Sequence, residues 1–262
     1  MRRSVKTRPM SNAHPHVGLL VTCLVDAMRP EIGFASLKLL EQADCRVSVP
    51  DVQTCCGQPA LNSGARGEAA KLAKRLVAAF EPFDYVVAPS GSCLGTVKTH
   101  YPELLSSDPA WKVRAERLAA KSFEILAFLA DVRGWRPEGV RFEAKATYHH
   151  TCAGLGELGI YAQPLKLLEQ VEGLKLVPLE GENACCGFGG TFAVKYPEIS
   201  TAIVSDKPRQ IAATGADTLL AADLGCLMNI AGKLSREGRA TSACSIRSKS
   251  WLAWPRAREW PE

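Results

Sequence analysis

The chain has 262 residues, a formal net charge of +5, and ordinary apolar and charged shares of 47% and 23%. That length admits one large α/β domain or two small ones, each with a core of its own. No dense Lys/Arg run carries the charge and no stretch reaches the length of a membrane span, so neither a nucleic-acid partner nor a membrane span is expected.

The N-terminal "MRRSVKTR" is basic and Val17–Val25 is apolar, which loosely imitates a secretory signal. Thr22 interrupts the run, Asp26 and Arg29 follow it, and no small-residue cleavage site appears. The expectation is a cytoplasmic protein, where thiols stay reduced. Ten cysteines in such a compartment point to metal ligands or redox groups before disulfides.

In chain order, "HVGLLVT" (16–22) is a short apolar, β-branched run and reads as a buried strand ending at Cys23. "EIGFASLKLLEQA" carries apolar residues three and four apart and reads as a helix; "CRVSVP" (45–50) is a second strand. A loop with Cys55, Cys56 and Gly57 follows, then a helix over "GEAAKLAKRLVAAF" and a strand over "FDYVVAP" that ends before Ser90 and Cys93. The later half repeats this order. It has strand "KATYHH", helix "PLKLLEQV", strand "LKLVPL", a loop with Cys185, Cys186 and Gly187, a helix over "PEISTAIVSDKPRQIAATG", and strand "ADTLLAAD" before Cys226. Pro208 should kink that helix or end it early.

The repetition is also literal. "LKLLEQ" occurs at 37–42 and again at 165–170, an offset of 128. Cys23 and Cys152 are offset by 129, Cys55 and Cys185 by 130, Cys93 and Cys226 by 133. A slowly growing offset means one unit used twice with small loop insertions. The expected fold is α/β, with two tandem pseudo-symmetric βαβ-type halves of parallel sheet: residues 16–140, residues 141–235, and irregular tails at 1–15 and 236–262.

Each cysteine of the pattern falls just past a predicted strand, and open α/β sheets bind ligands outside their strand C-termini. Cys23, Cys55, Cys56 and Cys93 should therefore meet at one sheet edge, and Cys152, Cys185, Cys186 and Cys226 at another. Four thiolates at one place repel unless a cation lies among them. An iron–sulfur centre supplies it, and the glycines let the chain wrap it closely. The alternatives are zinc, a thiol redox pair, and buried apolar cysteines; the spacing matches neither a zinc ribbon nor the usual ferredoxin run. "GFGGTF" follows the dinucleotide fingerprint too loosely to count as one.

The order C-x31-CC-x36-C in the first half and C-x32-CC-x39-C in the second resembles the cysteine-rich, or CCG, domain. That domain is duplicated in heterodisulfide reductase and in the iron–sulfur subunit of glycolate oxidase. "VTCLVDAMRPEIG", "TCCGQPALNSG", "PSGSC", "HYPELL", "CCGFGGTFAVKYPEIS" and "GADTLLAADLGCLMNI" resemble the lactate utilization protein A family, over residues 16–234. The resemblance implies a cytoplasmic oxidoreductase subunit that takes part in oxidising L-lactate to pyruvate. It would hold one or two iron–sulfur clusters of 4Fe–4S type, meet a small 2-hydroxy acid, and work with other iron–sulfur and accessory subunits. A glycolate-oxidase-type or heterodisulfide-reductase-type subunit is the alternative, and a non-catalytic zinc-stabilised scaffold is the alternative of another class.

Several positions depart from the wider CCG pattern, which often ends in CxxC. Ser90 and Asp223 stand where the first cysteine of that pair would be; Asp223 could ligate iron through oxygen, or both could be turn or capping residues. Ala153 follows Cys152 where the family resemblance leads one to expect histidine, while His149 and His150 precede it as possible ligands or plain strand-end residues. Lys195 could face a substrate carboxylate or simply be solvated, and Cys45 reads as a small core residue. Cys244 lies in an aperiodic, tryptophan-bearing tail, expected to be poorly ordered and open to limited proteolysis. The sequence assigns no catalytic residue.

Overall fold

The computed structural model describes residues 14–181 and 183–238. Most of both expected tails, Cys244 included, lies outside the described residues. Among the described residues no helix is long and apolar enough to cross a membrane.

The first half builds a parallel sheet from β1 (His16–Leu19), β2 (Arg46–Ser48), β3 (Tyr85–Ala88) and β4 (Ser122–Glu124), in the order β2-β1-β3-β4. Its helices are α1 (Cys23–Met28), α2 (Pro30–Gln42), α3 (Gln58–Asn62), α4 (Arg66–Phe80), α5 (Gly91–Gly95), α6 (Tyr101–Leu104), α7 (Pro109–Ala120) and α8 (Ile125–Ala127). A π-turn, Thr96–His100, joins α5 to α6. Period-2 alternation gives this sheet two apolar faces. Val86 and Ala88 of β3 pack with Phe80, Leu94, Tyr101 and Leu118, whereas Val87 packs with Val17, Leu19 and Leu40 on the other side.

The second half is leaner. β5 (Arg141–His149), β6 (Glu172–Val177) and β7 (Thr218–Ala221) form a parallel sheet in the order β6-β5-β7. Its helices are α9 (Cys152–Gly156), α10 (Ala162–Leu168), α11 (Phe192–Lys195), α12 (Pro197–Val204), α13 (Lys207–Thr214) and α14 (Leu224–Arg236). The helix expected over 197–215 is interrupted at Ser205–Asp206, and Pro208 falls in the first turn of α13, where its missing N–H costs nothing. Leu179, Val204, Ile211, Leu219 and Ile230 fill one face of this sheet.

The first half therefore carries a fourth strand that the repeat alone does not announce. β4 is three residues long, too short for a hydrophobic period to mark it. A start signal for the crossover before it is present: the Asp108 side chain accepts hydrogen bonds from Ala110 N and Trp111 N, with Pro109 in the first turn of α7.

The two halves meet at the C-terminal ends of their sheets. Val25 and Ile32 pack on Leu224, and Leu167 of α10 joins the core beside Leu39 and Phe128. Gly91 N donates to Ala222 O, and Ser63 Oγ lies 3.2 Å from Thr191 Oγ1. The loops that carry cysteine consequently face one another across the junction.

Candidate metal centre

In each half the chain leaves a strand and enters a helix at the cysteine. Cys23 opens α1, Cys152 opens α9, Cys93 sits in α5 and Cys226 in the first turn of α14. Cys23 Sγ donates to Cys55 Sγ at 3.7 Å, and side-chain hydrogen bonding continues from Cys55 to Cys56 and on to Cys93. In the second half Cys152 bonds to Cys185, Cys185 to Cys186, and Cys186 Sγ donates to Cys226 Sγ at 2.8 Å. All eight are free thiols, and within each half the sulfurs follow one another through these contacts.

The paired cysteines and their glycine repeat one geometry. Gly57 has φ +82° and its N–H donates to Cys55 Sγ at 3.4 Å; Gly187 has φ +77° and donates to Cys185 Sγ at 3.3 Å. A left-handed turn after the second cysteine aims the glycine N–H back at the first sulfur, and only glycine enters that region without strain. The carbonyl of the second cysteine is held too. Tyr101 Oη donates to Cys56 O at 2.7 Å, and Asn229 Nδ2 donates to Cys186 O at 2.7 Å. Neither Tyr101 nor Asn229 is visible as a site residue in the sequence, because the two sit at different distances from their cysteines. Thr22, beside Cys23, holds φ 70° and ψ 146°, a conformation that costs a β-branched residue roughly 1–3 kcal/mol.

The electrostatics show why these thiols suit a cation. Hydrogen bonds from Cys23 and Cys56 hold the Cys55 thiol far below its ordinary value, at about 2, and those from Cys152 and Cys186 do the same for Cys185. The donors are pushed up in turn: Cys23 by its bond to Cys55 and by burial, Cys152 by its bond to Cys185 and by burial, and Cys56 and Cys186 likewise. For Cys226 the bond to Cys186 lowers the value, but burial and Asp223 raise it further. Each half thus stabilises one thiolate at its neighbours' expense, and ionising the rest requires positive charge among them. The donor set, soft sulfur with backbone N–H groups aimed at it, fits an iron–sulfur or zinc centre.

Ser90 and Asp223 act as helix caps. Ser90 Oγ accepts from Cys93 N, and Asp223 Oδ1 accepts from Gly225 N at 3.1 Å. Asp223 Oδ2 also accepts from Ser90 Oγ at 3.1 Å, Ser92 N at 3.1 Å and Ser92 Oγ at 2.6 Å, tying the two halves together beside both cysteine sets. Lys195 Nζ donates to Ser63 Oγ at 2.9 Å, so it bridges the halves at their junction. Cys45 is 7% exposed within the first-half core, apart from the cysteine pattern.

The histidine pair divides. His150 stacks on Tyr161 with ring centroids 4.6 Å apart. His149 turns to the other side of the strand end, where a ring nitrogen, Cys186 Sγ and Cys226 Sγ lie within 4.8 Å of one another. Burial, then the charge of Lys207, depresses the His149 pKa to about 3 and keeps the imidazole neutral. The sequence offers no signal for Glu124 at the end of β4. It is buried, its Oε2 caps α8 through Leu126 N and Ala127 N, its Oε1 has no partner among the described residues, and burial raises its pKa to about 7.

The cysteine-rich domain profile matches residues 17–98 and again 146–231. Lactate utilization protein A of Exiguobacterium sp. is 49% identical over 234 residues, 88% of this chain and 95% of that relative. The protein of that name from Geobacillus kaustophilus is 48% identical over 223 residues, 85% of this chain and 93% of the relative. The Bacillus subtilis protein is 45% identical over 230 residues, 88% and 96%. Identity at this level across nearly the whole of each partner places the chain: it belongs to the lactate utilization protein A family and carries the cysteine-rich domain twice.

Proposed function

We propose that this chain is an iron–sulfur oxidoreductase subunit of a cytoplasmic system that oxidises L-lactate to pyruvate. Cys23, Cys55, Cys56 and Cys93 would hold one centre in the half spanning 16–140. Cys152, Cys185, Cys186 and Cys226 would hold the other in the half spanning 141–235. The observation that carries this reading is the twofold recurrence of four free thiols at strand ends, each set with a glycine N–H aimed at the first sulfur of its cysteine pair. The relatives' names supply the substrate class.

A 4Fe–4S centre in each half supplies one-electron transfer when bound. The chain's own residues do the rest. The glycine N–H groups and the clamped cysteine carbonyls fix where the sulfurs stand, and the Asp223 network fixes one half against the other. Oxidising lactate releases an electron pair and protons. The sequence carries no flavin or nicotinamide fingerprint to take them, so other iron–sulfur and accessory subunits are assigned that share.

The test is purification without oxygen, followed by iron, acid-labile sulfide and zinc per chain. Near-equal iron and sulfide in a brown protein is the expected result, with the stoichiometry separating one centre from two. Zinc without sulfide would replace this reading with a structural metal scaffold. Turnover of glycolate or a disulfide, and not lactate, would move the chain to one of the related subunit classes.

A further inference from the structure

The halves repeat in sequence, but they do not surround their thiols alike. Strand register fixes the comparison: Leu19 of β1 pairs with Val87 of β3, and Tyr148 of β5 pairs with Leu220 of β7. The next residues are then equivalent, Leu20 in the first half and His149 in the second. Leu20 is 1% exposed and packs into the apolar core with Phe80 and Val86. His149 is equally buried at 1%, yet it places a ring nitrogen within 4.8 Å of both Cys186 Sγ and Cys226 Sγ.

Both ring nitrogens of His149 lack a hydrogen-bond partner among the described residues. A neutral imidazole carries one N–H donor and one acceptor, and leaving these buried and unmatched is costly enough to need an explanation. A core histidine is ordinarily satisfied by a nearby carbonyl or hydroxyl. Here Cys186 Sγ and Cys226 Sγ lie within 4.8 Å of a ring nitrogen. A second asymmetry points the same way. Lys207, 1% exposed, donates to Gly181 O at 2.8 Å and exerts its charge on both His149 and Cys226. The first-half thiols Cys23, Cys55 and Cys56 are perturbed by one another, by burial and by backbone N–H groups.

We propose that His149 is a positioning and tuning residue of the second centre, offering it a ring N–H that the first centre lacks, and that the second centre is therefore the more easily reduced of the two. The inference rests on the reading of both cysteine sets as iron–sulfur centres. Its physical basis is that reduction adds negative charge to the centre and its sulfurs. A donor beside them stabilises that charge, whereas a leucine does not.

The experiment is an EPR-monitored redox titration of the full-length chain, purified without oxygen and grown with 15N-labelled histidine. Wild type should show two midpoints and a histidine nitrogen coupling on the higher one. In His149→Leu, which copies the first half, the coupling should vanish and the higher midpoint fall by about tenfold in its reduction equilibrium, about 59 mV for one electron, with iron content unchanged. His149→Gln, which keeps an N–H donor, should recover part of the shift. His150→Leu should move neither midpoint. If His149→Leu cannot retain the second centre, the wild-type coupling and His149→Gln decide. Intact centres with unmoved midpoints in both His149 variants, or no histidine coupling in wild type, overturn this inference alone. A wild-type chain without iron and sulfide overturns the iron–sulfur reading, and this inference with it.

Discussion

Asp223→Ala asks most directly whether that carboxylate serves the fold or a metal. Asp223 is 5% exposed and accepts four hydrogen bonds, one from Gly225 N in its own helix and three from Ser90 and Ser92 of the other half. Losing the cap costs about 1 kcal/mol. Leaving Ser92 N without an acceptor costs about 1–3 kcal/mol, and the two hydroxyl bonds add about 1 kcal/mol after they rotate to new partners. The sum, about 3–5 kcal/mol, is a large part of the 5–15 kcal/mol that typically holds a domain together. Urea unfolding of the metal-free, reduced protein should show this loss, and Asp223→Asn should lose less because its amide oxygen can still cap α14. Ser92→Ala combined with Asp223→Ala should be clearly less than additive, since the two share bonds. A loss under about 1 kcal/mol, or unchanged metal-free stability with selective loss of iron, would refute the capping account.

Cys186→Ala should lower iron and sulfide per chain to roughly half while the first centre persists, and Cys45→Ala, a core change outside the cysteine pattern, should leave metal content alone; elemental analysis reads both. Gly187→Ala should destabilise the metal-free protein by more than about 2 kcal/mol, because its φ is +77° and a Cβ would meet Ser200 O at 2.6 Å. Gly57→Ala should cost less, with its nearest neighbour, Ala69 O, at 3.4 Å; denaturant midpoints rank the two. Glu124 has its pKa raised from the ordinary 4.5 to about 7 by burial. Its protonated form is favoured in the folded state, so the stability it contributes is complete below about pH 4.5 and is lost as pH rises through about 7, by about 3 kcal/mol in all. Glu124→Gln should flatten that part of the stability profile between pH 5 and 7.

Much of this architecture is legible in one dimension. The duplicated "LKLLEQ", the growing cysteine offsets and the alternation of short β-branched runs with helical periods depend on contacts close in the chain, and these survive as pattern. The same holds for caps: Ser90 and Asp223 occupy positions where a short polar side chain before a helix bonds forward to its own backbone. β4 is not legible, because three residues cannot display a period. What the tertiary structure alone decided is which of two adjacent histidines meets the sulfurs. Successive side chains at a strand end point to opposite faces, and whether His149 or His150, both buried, lies on the side of the sulfurs depends on the register of β5 against β7. The Asp223–Ser92 bond joins residues 131 apart, and the Ser63–Thr191 contact joins residues 128 apart. Such contacts arise only when two separately patterned halves dock along their strand C-terminal edges, and no local periodicity encodes that docking. The repeat explains why each half gathers four thiols; the docking and register make the two sets unlike.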